Sequence, residues 1–274
     1  MQLPPLSVQS LVLIDEGLDI LTKISTRASG CEWTSPLTGK SRSLQRISRN
    51  TLLAVTDFGY VEIDDVNGEV VRTETLFQGG VISAQRMDNG NTFFGGLNLT
   101  GGKGVSFVDM DSNKQITRSV CFGGDYVRCS TLTPADTILF TSDNRVYEGD
   151  WAGGIIREFT AAGFKHAWKA RRLENERTLI SAGYGAFVAE FDLRGNITRR
   201  WECSASAALV RPHFFSDFSL LQNGNLVICN WLGHGRGLGG TGYPLLEFTP
   251  TGELIGGWQD RVRTSSPQTF VIAR

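Results

Sequence analysis

The chain lacks an excess of charge of either sign: 27 Lys and Arg stand against 28 Asp and Glu, a formal net charge of −1 over 274 residues. No global field therefore draws it to nucleic acid or to an anionic membrane surface. It also lacks any run near the ~18 consecutive apolar residues that a helical membrane span needs. Its opening, MQLPPLSVQSLVLIDEG, has no cationic stretch leading into a long apolar one. Only five cysteines are present, Cys31, Cys121, Cys129, Cys203 and Cys229, and none forms a CxxC pair. An odd, scattered set suits a reducing compartment better than a disulfide framework. The expectation is a cytoplasmic protein with neither a membrane nor a nucleic-acid partner. Amphipathic helices are missing too. The segment AWKARRLENER at 167–177 carries the charges of one, but falls where a repeat demands an inner strand and a hairpin.

That repeat is the strongest feature present. A short apolar strand entered by Thr recurs at Thr51, Thr92, Thr137, Thr178 and Thr269, with Leu226 opening the remaining copy, at intervals of 41, 45, 41, 48 and 43 residues. A second strand ending in an acid and a turn follows most copies, closing at Asp64, Asp109, Asp150 and Asp192, with LEFT closing at Thr249. The sixth such strand, VLID ending at Asp15, lies at the N-terminus while its partner TFVIAR lies at the C-terminus. A period of ~40–50 residues signals propeller blades. The prediction is an all-β, six-bladed β-propeller in one domain, 1–274, with four antiparallel strands per blade. Its blades fall at about 43–76, 83–121, 127–160, 168–202, 214–259, and 262–274 plus 10–25. The last blade closes the ring by combining both chain ends, the C-terminus expected to supply two inner strands and the N-terminus two outer ones. Asn67-Gly68, Asn89-Gly90, Arg194-Gly195 and Asn223-Gly224 mark tight hairpins that need positive φ.

The units QRMDNGNTFF, RRLENERTLI and FSLLQNGNLVI, each followed by a strand such as EFD or LEF and a turn glycine, resemble the repeats of PQQ-like and arylsulfotransferase-like propellers. The resemblance implies the fold and carries over no catalytic residue, because those groups serve many activities. A quinone-dependent dehydrogenase is disfavoured, since the chain offers neither adjacent cysteines nor an acidic calcium cluster.

In a propeller the loops before the first strand and after the second strand of each blade share one face, here called upper. The longest loop assigned to it within a blade runs from Asn230 to Tyr243, and long loops in compact domains are enriched in function. All three histidines map there: His166, His213 and His234. They suggest either one divalent transition metal held by the three imidazoles, or acid–base use without a cofactor, or plain hydrogen bonding. Aligned inner strands place Ser43, Ser83, Arg128, Lys169 and Asp217 at equivalent channel positions, a cationic wall beside a carboxylate. Trp33, Tyr126, Trp168, Tyr184, Trp231 and Tyr243 map to the same face, whereas Trp201 and Trp258 should pack between blades and Trp151 should sit in a turn on the other face. The glycine run 233–240 is not a dinucleotide fingerprint, because a strand rather than a helix follows it. Gly39-Lys40-Ser41 lacks the earlier glycine of a phosphate loop.

Two functions compete at this point. One is an enzyme acting on a carbohydrate or anionic aromatic compound at the channel mouth, of lyase, isomerase or hydrolase type. It would use His213, His234 and Asp217 for catalysis and Arg128, Lys169, Trp231, Arg236, Tyr126, Trp168, Ser83 and Tyr184 for binding. The other is a non-catalytic ligand-binding or protein-interaction propeller using the same rim. Side chains converging on a concavity favour the first, and a protruding display the second.

Overall fold

The computed structural model describes residues 2–27, 31–204, 210–238, 241–260 and 262–273, and the described residues contain no α-helix. The chain opens with β1 (Ser10–Asp15), β2 (Ile20–Ser25) and β3 (Cys31–Pro36). Blade one follows as β4 (Leu44–Arg46), β5 (Thr51–Thr56), β6 (Gly59–Asp64) and β7 (Val70–Thr75). Blade two comprises β8 (Val81–Arg86), β9 (Thr92–Leu97), β10 (Val105–Met110) and β11 (Ile116–Phe122). Blade three comprises β12 (Ser130–Leu132), β13 (Ile138–Ser142), β14 (Arg145–Gly149) and β15 (Ile155–Phe159). Blade four comprises β16 (Ala170–Arg172), β17 (Thr178–Ser181), β18 (Phe187–Phe191) and β19 (Ile197–Glu202). Blade five comprises β20 (Phe214–Leu220), β21 (Leu226–Trp231), β22 (Leu245–Phe248) and β23 (Leu254–Trp258), and β24 (Pro267–Ile272) returns to begin blade six. Six four-stranded antiparallel sheets result, the arrangement of a six-bladed β-propeller. The hairpin glycines Gly68, Gly90, Gly195 and Gly224 have φ of 78°, 88°, 83° and 84°, the left-handed region their turns require.

Ring closure departs from the expected division. The sixth sheet has the order β24-β1-β2-β3, so the C-terminus contributes only the innermost strand and the N-terminus the other three. After Trp258 the next strand is Pro267–Ile272, which takes the innermost place in the sheet. Ser10–Asp15 therefore takes second place in the blade, pairing Leu11 with Ile272 and Leu13 with Phe270. The Thr-apolar pattern of TFVI matches that of second strands, which disguised its position. One consequence is that Trp33 is not on the upper face. It lies buried in the outermost strand β3, its Nε1 donating to Asp65 O at 2.9 Å.

Packing follows from the radial repeat. Each gap between neighbouring blades holds its own apolar cluster, for example Phe159, Phe187 and Phe191 between blades three and four and Trp201, Phe215 and Phe248 between blades four and five. The middle strands bury both faces, as in β10 and β21, whereas the outer β7 is exposed almost throughout. Trp201 and Trp258 fill inter-blade gaps, and Trp151 sits in a turn after β14 beneath the Arg118 guanidinium.

The five free thiols report on this packing. Cys31 and Cys121 are exposed. Burial pushes the thiols of Cys129 and Cys203 up to about 11 and that of Cys229 higher still. Because the thiolate is the reactive form, a chromogenic aromatic disulfide at about pH 8 should modify two of the five thiols in the native protein and the other three only in denaturant. A third fast thiol would show a blade open in solution.

Candidate active site at the upper mouth

The floor of the upper mouth is a small apolar cluster, Trp168, Phe214 and Trp231, with 7%, 2% and 4% of their surfaces exposed. Phe214 and Trp231 meet edge to face at 5.4 Å, and Trp168 packs on Phe214 at 5.3 Å. Above this floor imidazoles and aromatic rings alternate. His166 lies 5.7 Å from Tyr184, Tyr184 5.4 Å from His213, His213 5.9 Å from Trp231, and Trp231 4.6 Å from His234.

That alternation corrects the metal reading. Tyr184 and Trp231 stand between the imidazoles, so His166, His213 and His234 do not converge. No group of three or more His, Cys, Asp or Glu suited to a metal occurs among the described residues.

Each imidazole is instead oriented through Nδ1. The His213 Nδ1 lies 3.1 Å from Trp231 O. The His166 Nδ1 lies 2.8 Å from the Tyr126 hydroxyl and 3.3 Å from Asp143 Oδ1. The His234 Nδ1 lies 2.7 Å from Glu16 Oε1, while Trp231 Nε1 donates to Glu16 Oε2 at 2.9 Å. A carboxylate only accepts, so in the pair with Glu16 the Nδ1 of His234 carries a proton, and in the neutral ring Nε2 is then the nitrogen with the free lone pair. The His234 side chain is 76% exposed and that of Glu16 20%, so the pair opens to solvent on the Nε2 side.

The position of His234 is set by the chain around it. Buried Asp15 accepts the backbone N–H groups of Ser265, Ser266 and Gly17. The hydroxyls of Ser265 and Ser266 in turn donate to Gly235 O and Gly233 O, the two residues flanking His234. Gly17 is required here, because a Cβ would come within 2.5 Å of Ser265 Oγ and 2.7 Å of Gly235 O. Desolvation raises the Asp15 carboxyl above the usual carboxylate range, against the lowering effect of those N–H donors.

The expected cationic wall is divided. Lys169 is paired with Asp217, whose side chain is 2% exposed. Asp217 also accepts from Thr269 Oγ1, from Phe270 N at 3.2 Å and from Phe218 N at 2.6 Å. This carboxylate therefore ties blades four, five and six together. Four residues apart, His213 and Asp217 would lie on one side of an unbroken strand and could act jointly, but a bulge between Phe215 and Asp217 interrupts the alternation of β20. Each is engaged with its own partners instead. Arg128 remains without a carboxylate partner among the described residues. Its Nε donates to the Tyr126 hydroxyl at 2.6 Å, and its guanidinium lies 4.3 Å from the Tyr126 ring and 5.8 Å from that of Trp168. Ser83 is buried against Ser130, with 2.5 Å between the hydroxyls, away from the open mouth. Tyr184 and Arg236 are exposed at the rim. Gly239 and Gly240 of the long loop, and 205–209 of the loop before blade five, lie outside the described residues.

Two site residues, Glu16 and Arg42, escaped the sequence reading. Glu16 follows β1, and recognising β1 as a second strand would have placed 16–19 among the upper loops. Arg42 precedes blade one beside Ser43, close enough for its charge to act on those of Glu16, Asp57 and Arg128.

No protein-family model matches the sequence, and no curated relative does. The fold is shared with solved structures. A protein of unknown function from Bacteroides caccae aligns over 96% of this chain and 98% of its own, with a TM-score of 0.80 and 20% identity. A streptogramin B lyase aligns over 98% and 85%, with a TM-score of 0.63 and 11% identity. A catalytically inactive His-to-Ala variant of virginiamycin B lyase from Staphylococcus aureus, with quinupristin, aligns over 99% and 95%, with a TM-score of 0.63 and 12% identity. At these identities the similarity establishes the propeller and no more.

Breaking one partner of a buried ion pair leaves an uncompensated charge, a loss of about 3–5 kcal/mol. Lys169→Met should therefore strand Asp217 and lower unfolding stability in urea by roughly that amount, whereas Asp217→Asn, which keeps a polar group in place, should cost less. Unchanged urea midpoints would show that Asp217 does not hold the ring.

Proposed function

We propose that the upper mouth is the active site of a small-molecule enzyme of lyase type, acting on an anionic, ring-bearing substrate with His234 as the proton carrier. The observation that carries this reading is the Glu16–His234 pair, at 2.7 Å, set beside Trp231 on an aromatic floor. A carboxylate that fixes the tautomer of an imidazole and leaves Nε2 open is the arrangement general-base catalysis needs. In an elimination, Nε2 takes the proton from carbon, the C–H electron pair becomes the new double bond, and the leaving group departs with its own bonding pair. Glu16 then stabilises the imidazolium. Isomerase or hydrolase chemistry would use the same base.

Several features support this over an interaction surface. The large rings Trp168, Phe214 and Trp231 are buried rather than protruding, and Arg128 and Tyr126 add a cation and a hydroxyl beside Trp168. The lyases among the structural neighbours, one inactivated by replacement of a histidine, agree with histidine-dependent chemistry on this fold. The repeat likeness to quinone-dependent and sulfotransferase propellers adds no group to the reaction, because it rests on strand and turn pattern alone.

The test is a screen of aromatic carboxylates and uronic acid derivatives bearing a leaving group β to an acidic C–H, followed by the absorbance of the new double bond. His234→Ala should reduce kcat on any hit by about a hundredfold or more, and Glu16→Gln should reduce it less, with KM for both near that of the wild type. Undiminished turnover in His234→Ala would remove this residue from the chemistry.

A further inference from the structure

At five of the six blade junctions a polar side chain of one blade reaches the inner strand of the next. Ser43 Oγ donates to Ala84 O at 3.4 Å, Ser83 pairs with Ser130, and Thr131 Oγ1 donates to Ala170 O at 3.2 Å. Ser181 Oγ donates to Ser216 O at 3.0 Å, and Ser216 Oγ to Gln268 O at 2.6 Å. The sixth junction, from blade six to blade one, carries no such bond to an inner strand among the described residues, its side-chain bonds running farther out, from Trp33 and Lys23 to Asp65 O. At that seam two polar atoms, Ser41 Oγ and Gln268 Oε1, are buried without a hydrogen-bond partner, in residues only 5% and 3% exposed.

Both residues line one small pocket, together with Lys40, Arg42 and Glu16. The Arg42 guanidinium, half-buried there, has no hydrogen bond or ion pair among the described residues. Burial first, and the charge of Arg128 second, hold it below the usual arginine range, with Glu16 and Asp57 acting in the opposite direction. The loop that presents it is fixed: the N–H of Lys40 lies 3.5 Å from Asp57 Oδ2, and Gly39 has φ of 92° with Asp57 Oδ2 2.9 Å from where a Cβ would stand. A cation without a partner, a stranded hydroxyl and an amide that can present either edge make an oxyanion site. The acids lining the same pocket, Asp15, Glu16 and Asp19, would repel a dianionic phosphate more strongly than a singly charged carboxylate.

We propose that this seam pocket binds the carboxylate of the substrate, with Arg42 as its ion-pair partner and Ser41 Oγ and the Gln268 amide as hydrogen-bond donors. The assignment rests on the reading of the upper mouth as the active site and names the half of it that holds charge. Glu16 belongs to both halves, lining the pocket and receiving His234 and Trp231. A carboxylate held on Arg42 thus brings the carbon next to it toward His234, while the ring of the substrate faces the aromatic floor.

Benzoate is the probe, with benzamide as its neutral counterpart of the same shape. Binding is read from tryptophan fluorescence and from the rise in thermal midpoint that a ligand of the folded state produces. Wild-type protein should bind benzoate saturably and benzamide much more weakly. Arg42→Gln should weaken benzoate by about tenfold or more, the scale of one charge-assisted hydrogen bond. Ser41→Ala should weaken it less, and Arg42→Lys, which keeps the charge without the fork, should fall between wild type and Arg42→Gln. The midpoint of each variant without ligand confirms that it folds. Equal benzoate affinity in Arg42→Gln and wild type, equal affinity for benzamide, or no saturation at millimolar benzoate each overturns the proposal. The two readings separate cleanly. His234→Ala should keep its benzoate affinity, so turnover that survives this substitution sinks the acid–base role alone, and benzoate binding that ignores Arg42 sinks the seam pocket alone.

Discussion

The fold depends on what becomes of the free edge of each innermost strand. Within a blade that strand is paired on one side only, so its remaining backbone groups face the channel and the neighbouring blade, and a buried polar group left unpaired is costly. Short hydroxyl and amide side chains resolve this from one blade to the next. Gln45 Nε2 reaches Arg86 O at 3.0 Å, Gln85 Oε1 accepts from Leu132 N at 2.9 Å, and Thr141 Oγ1 donates to Trp168 O at 3.0 Å. Apolar burial in the inter-blade gaps supplies the non-directional attraction that brings sheets together. The stitches fix their rotation about the channel, and so fix where each upper loop emerges.

That fixed rotation explains why the site is built across blades rather than within one. His234 rises from blade five, Glu16 from blade six, Arg42 from the approach to blade one and Tyr126 from the approach to blade three. No two of these adjoin in sequence, and their geometry persists only while the ring stays closed. Asp217 is central to closure, since one buried carboxylate accepts from Lys169 on one side and from Thr269 and Phe270 on the other. Its neighbour in function is Asp15, whose acceptor role anchors Ser265 and Ser266 and, through their hydroxyls, the backbone on both sides of His234. Two buried acids thus serve structure, and leave the half-buried Glu16 free for chemistry.

The repeat was legible because its signals are local: the Thr-apolar strands at Thr51, Thr92, Thr137 and Thr178 and the turn glycines Gly68 and Gly90 each follow from period-two alternation and positive φ. Blade six was read one strand out of place. TFVI carries the pattern of a second strand but occupies the first, since position is set by which backbone edge is vacant and not by side-chain pattern. That single slip hid Glu16 in a turn of no apparent interest and moved Trp33 to a face it does not reach. The rim histidines were found from loop position, yet their separation by Tyr184 and Trp231 depends on inter-blade rotation, for which a linear sequence has no marker. Bulges were equally invisible. One extra residue at Ser216 leaves a four-residue spacing unable to define a common side.

The seam between blades six and one is where the ring's two constraints conflict. Blade six combines β24 with β1, β2 and β3, and β24 meets β4 with no hydroxyl to bridge them. Trp33 and Lys23 bridge these blades farther out, at Asp65 O, while at the inner end of the seam the buried, unpaired Ser41 Oγ and Gln268 Oε1 carry a cost that some other contact must offset. An anion at Arg42 would satisfy the guanidinium, the Ser41 hydroxyl and the Gln268 amide together, and would do so at the one inner junction that the described chain leaves open. Ligand binding would then add one more contact across a ring that is already closed. An ion pair that orients a substrate beside Glu16 would also bridge the inner ends of blades six and one, so occupancy would tighten the geometry on which the Glu16–His234 pair depends.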